Sequence, residues 1–487
     1  MTALEPPIYE VAVEQEDQAI HDIQFETGNV SPWQGVPRRS SGLAQLLKSY
    51  GATHWFSATA NIHGDDQNLP NLIDAYGDPA QMGSDTNPLG DTNDPVWLKA
   101  LPHDSVWFPG TEGPDHCTRT ISSHTSIVRW EQQIDFPEGY ELQGNAAGGF
   151  GQLNSSDGVS VGVGVTVVGN LWVVIRDQVQ QSNFNASLSI LSTGLWWDEV
   201  RSLRYVYDVP TKTYTAWLMG EDGIWSEPLT HIADGISTSF EGPVQARVGY
   251  AGTFAYARIR FRTSGGYIRL NDDDPIYFNP DDLTGWSINR SETGLKTTIV
   301  PKNKGVLVLD GVDDYIQLPD DAIPDITATT GELTAFVVQT MHHPQDGVST
   351  LLDYQGAAQD GIVLECQSGG TQLRAIVMGA DGSSTYSSIN VGFDPLGKDV
   401  VAILSINNGE LQAHVYTHED GLVSGTVRDM SGVGAMNIIS PRIGSLARGV
   451  GDVWNAEIHD FAQFGRALTE PEIIKAARSL LAGEVVP

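Results

Sequence analysis

From residue 42 onward the chain falls into short apolar runs, set about 8–12 residues apart by Gly, Asn, Asp and Pro, and few folds accept that rhythm. Runs at 126–134, 203–207, 214–219, 246–250 and 257–261 are followed by the same texture at 305–309, 333–339, 361–365, 373–378, 400–406 and 411–416. Each run is long enough for a strand and too short for a core helix, so the spacing predicts an all-β sandwich. Two segments read as helix, 42–50 and 469–481. The second is well signalled: Thr469 and Glu472 make a capping box, Pro471 lies in the first turn and Gly483 follows the end. The most apolar stretch, 159–175, is broken by Gly162, Gly164, Gly169 and Asn170, which suits a strand rather than a bilayer span. The first residues combine no basic segment with an apolar core, so a cleaved secretion signal is not expected.

The rhythm occurs twice. Phe108-Pro-Gly-Thr-Glu-Gly corresponds to Leu309-Asp-Gly-Val-Asp-Asp, each after an apolar strand. The segment 208–217 leading to Glu221-Asp222-Gly223 corresponds to 407–415 leading to Glu419-Asp420-Gly421. Arg247-Val-Gly followed by Ala257-Arg-Ile-Arg-Phe corresponds to Arg442-Ile-Gly followed by Ala456-Glu-Ile-His-Asp-Phe. The offsets are 201 (108 to 309), 198 (221 to 419) and 195 to 199 (247 to 442, 257 to 456). Three anchors in one order at nearly one offset predict a duplicated domain, at 42–265 and 266–487. Residues 1–41 stand apart, with Pro6, Pro7, Pro32 and Pro37, acids between 14 and 17, and the pair Arg38 and Arg39. Two readings stay open for them. One is a disordered tail; the other is an extended assembly arm that orders against a partner through Ile8, Val11, Ile20 and Phe25.

Charge removes whole classes of ligand. Sixty-one acidic against 27 basic residues leave a net charge of −34, which repels nucleic-acid phosphates and anionic membranes. Cys117 and Cys366, 249 residues apart, make neither a disulfide framework nor a metal cluster.

Two segments carry a family likeness. Val306-Leu-Val-Leu-Asp-Gly-Val-Asp-Asp-Tyr-Ile-Gln-Leu-Pro319 resembles the opening strand of laminin-G-like, concanavalin A-like jelly rolls. Residues 457–473, EIHDFAQFGRALTEPEI, resemble their closing strand and terminal helix. The segment 398–404 departs from the pattern by lacking Trp. A narrower resemblance, through 105–113 (SVWFPGTEG), 284–296 (TGWSINRSETGLK) and the VLDGVDDYI run, is to minor tail proteins of long-tailed actinobacteriophages. It implies an all-β chain of two jelly-roll sandwiches in tandem after an extended arm. It also implies a structural protein of the virion tail tip, joined to other tail proteins through the arm, oligomeric around the tail axis and presented to host-envelope glycans. The alternatives are a polysaccharide-degrading jelly-roll enzyme and a capsid decoration protein. Laminin-G-like folds often hold calcium, which would fall to Asp310, Asp313 and Asp314, or to Asp272, Asp273 and Asp274.

A jelly roll exposes a concave sheet face on which aromatics can stack against sugars. Of Trp107, Trp130, Trp172, Trp196, Trp197, Trp217 and Trp225, most are expected in the core. Trp196-Trp197 is the exception, because neighbours on a strand point to opposite faces and a two-layer sandwich buries one. No catalytic set is expected. Glu457-Ile-His-Asp-Phe has His where a glucanase-like strand needs its first Asp, and Glu131-Gln-Gln-Ile-Asp135 lacks the alternation, so both read as solvent-facing strand positions. The loop 392–398 spells a phosphate loop, yet Asp399 replaces the Ser or Thr that would meet magnesium. His342, His343, His414 and His418 lack ligand spacing, and Cys117 lacks a base.

Overall fold

Turn chemistry fixes the hairpins that organise the sheets. Asn408 and Gly409, with φ of 47° and 90°, make a two-residue turn whose twist suits Asp399–Asn407 pairing with Glu410–Thr417. Its counterpart joins Ser202–Asp208 to Thr213–Met219 around Lys212, φ 56°. The computed structural model describes residues 38–486 except 60–67, 75–77, 84–94, 99, 102, 109–115, 122–126, 137–146, 156–158, 167–169, 178–181, 197–198, 234–242, 250–260, 290–296, 301–303, 311–313, 342–347, 357–359, 368–370, 391–397 and 446–454. The arm and its Ile8, Val11, Ile20 and Phe25 lie outside the described residues.

Two antiparallel sandwiches share one strand order. In the first, a seven-stranded sheet runs Ser182–Ser189, Asn170–Asp177, Val159–Thr166, Ala147–Ser155, Val244–Gly249, His116–Ile121, Ser287–Asn289. It faces a six-stranded sheet of Leu229–Ile232, Thr213–Met219, Ser202–Asp208, Ile127–Gln133, Gly266–Leu270 and Ile276–Phe278. In the second, the eight-stranded sheet runs Ser384–Asn390, Gln372–Met378, Gly361–Gln367, Val348–Gly356, Ile438–Ile443, Ile316–Gln317, and ends on Ala80–Met82 and Asn68–Leu69. Its partner runs Gly421–Ser424, Glu410–Thr417, Asp399–Asn407, Glu332–Met341, Asn455–Phe464, Val306–Asp310, Val96–Leu98. The duplication extends to backbone detail. Gly223 and Gly421 have φ of 70° and 71°, and Gly249 and Gly444 have 97° and 93°. At Gly444 a Cβ would also lie 2.1 Å from Leu309 Cδ2, so the buried Leu309 would have to turn aside. The other expected pair, Gly110 and Gly311, lies outside the described residues.

The expected boundaries, 42–265 and 266–487, need correction. Ala52–Ser57 pairs with the C-terminal strand Asn455–Phe464, and Val96–Leu98 pairs with Val306–Asp310, so the segment before residue 99 belongs to the second sandwich. Gly266–Leu270 and Ile276–Phe278 belong to the first. The first sandwich is therefore inserted into the second. Its flanking strands Ser105–Phe108 and Thr298–Val300 pair with each other, and Leu98, Trp107, Val300, Val306 and Val308 form a small apolar cluster at the joint.

Both helices serve the second sandwich. Glu470–Ala482 forms as expected, with Glu472 accepting from the Thr469 N–H and hydroxyl and Gly483 in the left-handed region. The first helix, expected at 42–50, starts earlier and spans Arg38–Ser49. Leu43, Leu47, Ile473, Ala476, Ala477 and Leu480 cover the outer face of the sheet that holds Glu332–Met341 and Asn455–Phe464, where Phe336, Val338, Val401, Ile403, Ala462 and Phe464 are buried.

Candidate functional site

Strand alternation sorts the six-stranded sheet of the first sandwich into two faces. Tyr205, Tyr214, Trp130, Ile268 and Phe278 point into the core, with Trp130, Tyr205 and Tyr214 stacked at 6.0 and 5.2 Å. The residues between them point outward, and the register sets five of them in one line. Trp217 lies opposite Arg204, Arg204 opposite Glu131, Glu131 opposite Tyr267, and Tyr267 opposite Tyr277.

The row is held by its own contacts. Arg204 donates from Nε to Glu131 Oε2 at 2.8 Å, and its Nη2 lies 2.8 Å from the same oxygen. The Trp225 ring caps the guanidinium at 4.2 Å. Burial pushes the Tyr267 phenol up, and the Glu131 charge beside it adds to the shift. Tyr267 and Tyr277 meet edge to face at 6.4 Å, and Tyr277 is 47% exposed. The row thus carries Trp217 at one end and the Tyr267–Tyr277 pair at the other, with the Arg204–Glu131 ion pair between them under the Trp225 ring.

The duplicated sheet supplies a comparison. Equivalent hairpins place Ile403 at the position of Arg204 and His414 at that of Trp217; the ladder continues through Phe336, Ala462 and Trp55. That row is buried, largely under the two helices. No described helix covers the row in the first sandwich.

The sequence-derived candidates fare unevenly. Trp196 is 60% exposed, yet it stands in a loop after the 3-10 turn Ile190–Thr193, with its N–H bonded to Glu199 Oε2 at 2.6 Å. Strand alternation therefore does not govern it, and Trp197 lies outside the described residues. Trp107 and Trp130 are core, as expected, whereas Trp217 and Trp225 are half-buried on the row. Of the proposed calcium ligands, Asp314 is 3% exposed, Asp313 is outside the described residues, and the Asp310 side chain is likewise undescribed. At the other proposed site the carbonyls of Asp272 and Asp273 accept from Arg269, so a guanidinium takes the place of a cation. Among the described residues, no group of three His, Cys, Asp or Glu could hold a metal.

Of the acids expected at the surface, Glu131 faces outward on the row, but the others do not reach solvent freely. Asp135 accepts from the buried Arg262 Nε at 3.0 Å. A register shift between Val338 and Gln339 leaves His459 as the extra residue of a bulge, and Glu457, His459 and Asp460 are all buried. His459 Nε2 lies 2.8 Å from Thr340 Oγ1, which donates to Asp399. Burial works against the Asp399 charge, but His459 and Lys304 hold its carboxyl well below the usual range. Burial pushes Asp460 up to about 6 against hydrogen bonds from Ser57 and Trp55 Nε1.

No protein-family model and no curated protein matches the chain. Among solved structures the chain is similar to the mouse laminin alpha1 chain, domains LG4-5, at 12% identity and a TM-score of 0.28, covering 78% of this chain and 96% of that one. It is also similar to the botulinum neurotoxin serotype D ligand binding domain in complex with N-acetylneuraminic acid, at 11% identity and a TM-score of 0.29, covering 39% of this chain and 45% of that one. A third is Ruminococcus gnavus IT-sialidase CBM40 bound to α2,3 sialyllactose, at 11% identity and a TM-score of 0.25, covering 31% and 84%. Such values carry no function from those proteins to this one.

Proposed function

We propose that the first sandwich binds glycans along the Trp217–Arg204–Glu131–Tyr267–Tyr277 row. The whole chain, on this reading, is a non-enzymatic structural protein of a phage tail tip, assembled through residues 1–41 and presented to the host envelope. The observation that supports glycan binding is the contrast between two copies of one sheet. In the second, the five positions are mostly apolar and buried; in the first, they carry aromatics around an ion pair and remain uncovered by any described helix. Sugar rings offer flat C–H faces rimmed by hydroxyls. Partly exposed Trp and Tyr take the faces, while Arg204 donates and Glu131 accepts at the rim. The tail assignment rests on the sequence resemblance at 105–113, 284–296 and 308–316.

The test is a pull-down of purified protein on actinobacterial envelope polysaccharide, with reducing ends assayed in the supernatant. The expected outcome is binding without release of reducing ends, lost in the Trp217→Ala, Tyr277→Ala double variant at unchanged melting temperature. A second reading, polysaccharide hydrolysis, draws on Glu457, His459 and Asp460, buried neighbours along the bulged strand. Reducing ends that accumulate with the wild type and vanish with Glu457→Gln would favour it. Labelled-antibody imaging of virions separates tail from capsid attachment.

A further inference from the structure

The row has a direction, a length and a charge balance, and together they restrict what can lie on it. Its members occupy adjacent strands in register, so it crosses the strands at about 4.8 Å per step. Trp217 is three steps from Tyr267, about 14 Å, and four from Tyr277, about 19 Å. A pyranose ring spans roughly one such step, so a single sugar cannot meet both ends of the row. Tyr277 lies on Ile276–Phe278, the edge strand of its sheet, so a chain stacked there can run on past the sheet. On the other side the Leu229–Ile232 ladder ends at Ala216, and the chain ahead of it goes on pairing past Trp217, Ser226 with Leu218 and Trp225 with Met219.

The charges on the row cancel. Arg204 and Glu131 neutralise each other at 2.8 Å. On the neighbouring line Arg129 and Arg269 stand opposite one another but are turned toward the 271–273 turn. There Arg269 binds the carbonyls of Asp272 and Asp273, and Arg129 binds that of Asn271 and lies 3.8 Å from the Asp272 carboxylate. With Asp272, Asp273 and Asp274 exposed beside them, the described residues present no net positive field at the row to attract an anionic sugar.

Building on the glycan-binding reading above, we infer that the ligand is the interior of a linear, uncharged glycan laid across the strands, contacted at two aromatic points with at least about three residues between its ends. Once one end is stacked, the second contact is intramolecular and gains by effective concentration, so affinity rises steeply when the chain becomes long enough to reach it.

The full chain is tested on an array of linear oligosaccharides of one to eight residues, in neutral and uronate-containing series. Monosaccharides are expected to give no signal. Binding should rise by about tenfold or more between two and five residues, as one further aromatic contact implies, and then level off, with the neutral series preferred. Trp217→Ala and Tyr277→Ala should each weaken binding of the longer chains, while a disaccharide should feel at most one of them. Affinity independent of length, recognition of a terminal sugar alone, or preference for uronates would overturn the inference and leave glycan binding standing. Silence across the array, with both variants and wild type melting alike, would overturn glycan binding and the inference together.

Discussion

Asp460 is a carboxylate in a place that disfavours its charge. Burial raises it from an ordinary 3.8 to about 6, although Trp55 Nε1 donates to it at 2.9 Å. Because the folded state holds its proton more tightly than the unfolded chain, this group stabilises most below pH 3.8. Stability is lost as pH rises from there to about 6 and stays lost above. The two values differ by roughly two pH units, on the order of 3 kcal/mol. His414 acts oppositely in an overlapping window. Burial lowers it to about 4, so its contribution is complete above its ordinary 6.5 and falls away as pH drops through 4. The expected result is that Asp460→Asn, which keeps an acceptor for Trp55, raises the melting temperature at pH 7.5. The variant-minus-wild-type curve should shrink between pH 6 and 4, and a flat difference would mean Asp460 is not strained. At this scale the sequence exposed little of the site. Trp196 stood out as half of a Trp pair, but a loop carries it. Trp217, Tyr267 and Tyr277 look like any strand aromatics until the register of five strands sets them in line.

Elements were more legible because their signals are local. The capping residues around 469–483 placed the last helix within a residue of Glu470–Ala482. The first helix has no acid in its first turn to mark its start, and it begins four residues before the 42 that apolar spacing suggested. Glu472 ties the last helix to the strand before it, accepting from the Thr469 N–H and from Arg466 Nη2 at 2.6 Å. The Arg466 hydrogen bond, ahead of a small opposing effect of burial, draws its carboxyl down to about 2. The sign is that of an ordinary paired carboxylate: stabilising above its usual 4.5, and lost as pH falls toward 2. The pair is largely exposed to solvent, so the cap rather than the charge sets the magnitude. Glu472→Ala is expected to cost about 1 kcal/mol and to speed amide exchange across 470–482, leaving binding at the distant row untouched. Protection unchanged in that helix would show the cap to be dispensable. The bulge in Asn455–Phe464 escaped the sequence reading for the opposite reason: period-2 counting assumes the regular ladder that a bulge breaks.

At the level of the whole molecule, the duplication was legible and the interleaving was not. Anchors about 200 residues apart are visible by comparison, because each copy must satisfy the same turns. That Ala52–Ser57 completes a sheet with Asn455–Phe464 depends on pairing across some 400 positions, for which a sequence holds no local mark. The consequence is an inserted first sandwich whose open face carries the row. Electrostatics at this scale give the last prediction. The chain bears −34, and the row itself is neutral through Arg204 and Glu131. A neutral glycan on such a row is held by stacking and hydrogen bonds, which salt barely touches. An acidic envelope around that glycan repels the chain as a whole, over distances of about 10 Å at 0.1 M salt and about 3 Å at 1 M. Raising salt should therefore leave binding to the isolated neutral glycan unchanged and strengthen binding to whole cells. The measurement is a pull-down of labelled protein on cells and on purified neutral polysaccharide from 0.05 to 1 M NaCl. Binding that falls steeply with salt on both would mean that a basic surface, rather than the row, makes the contact.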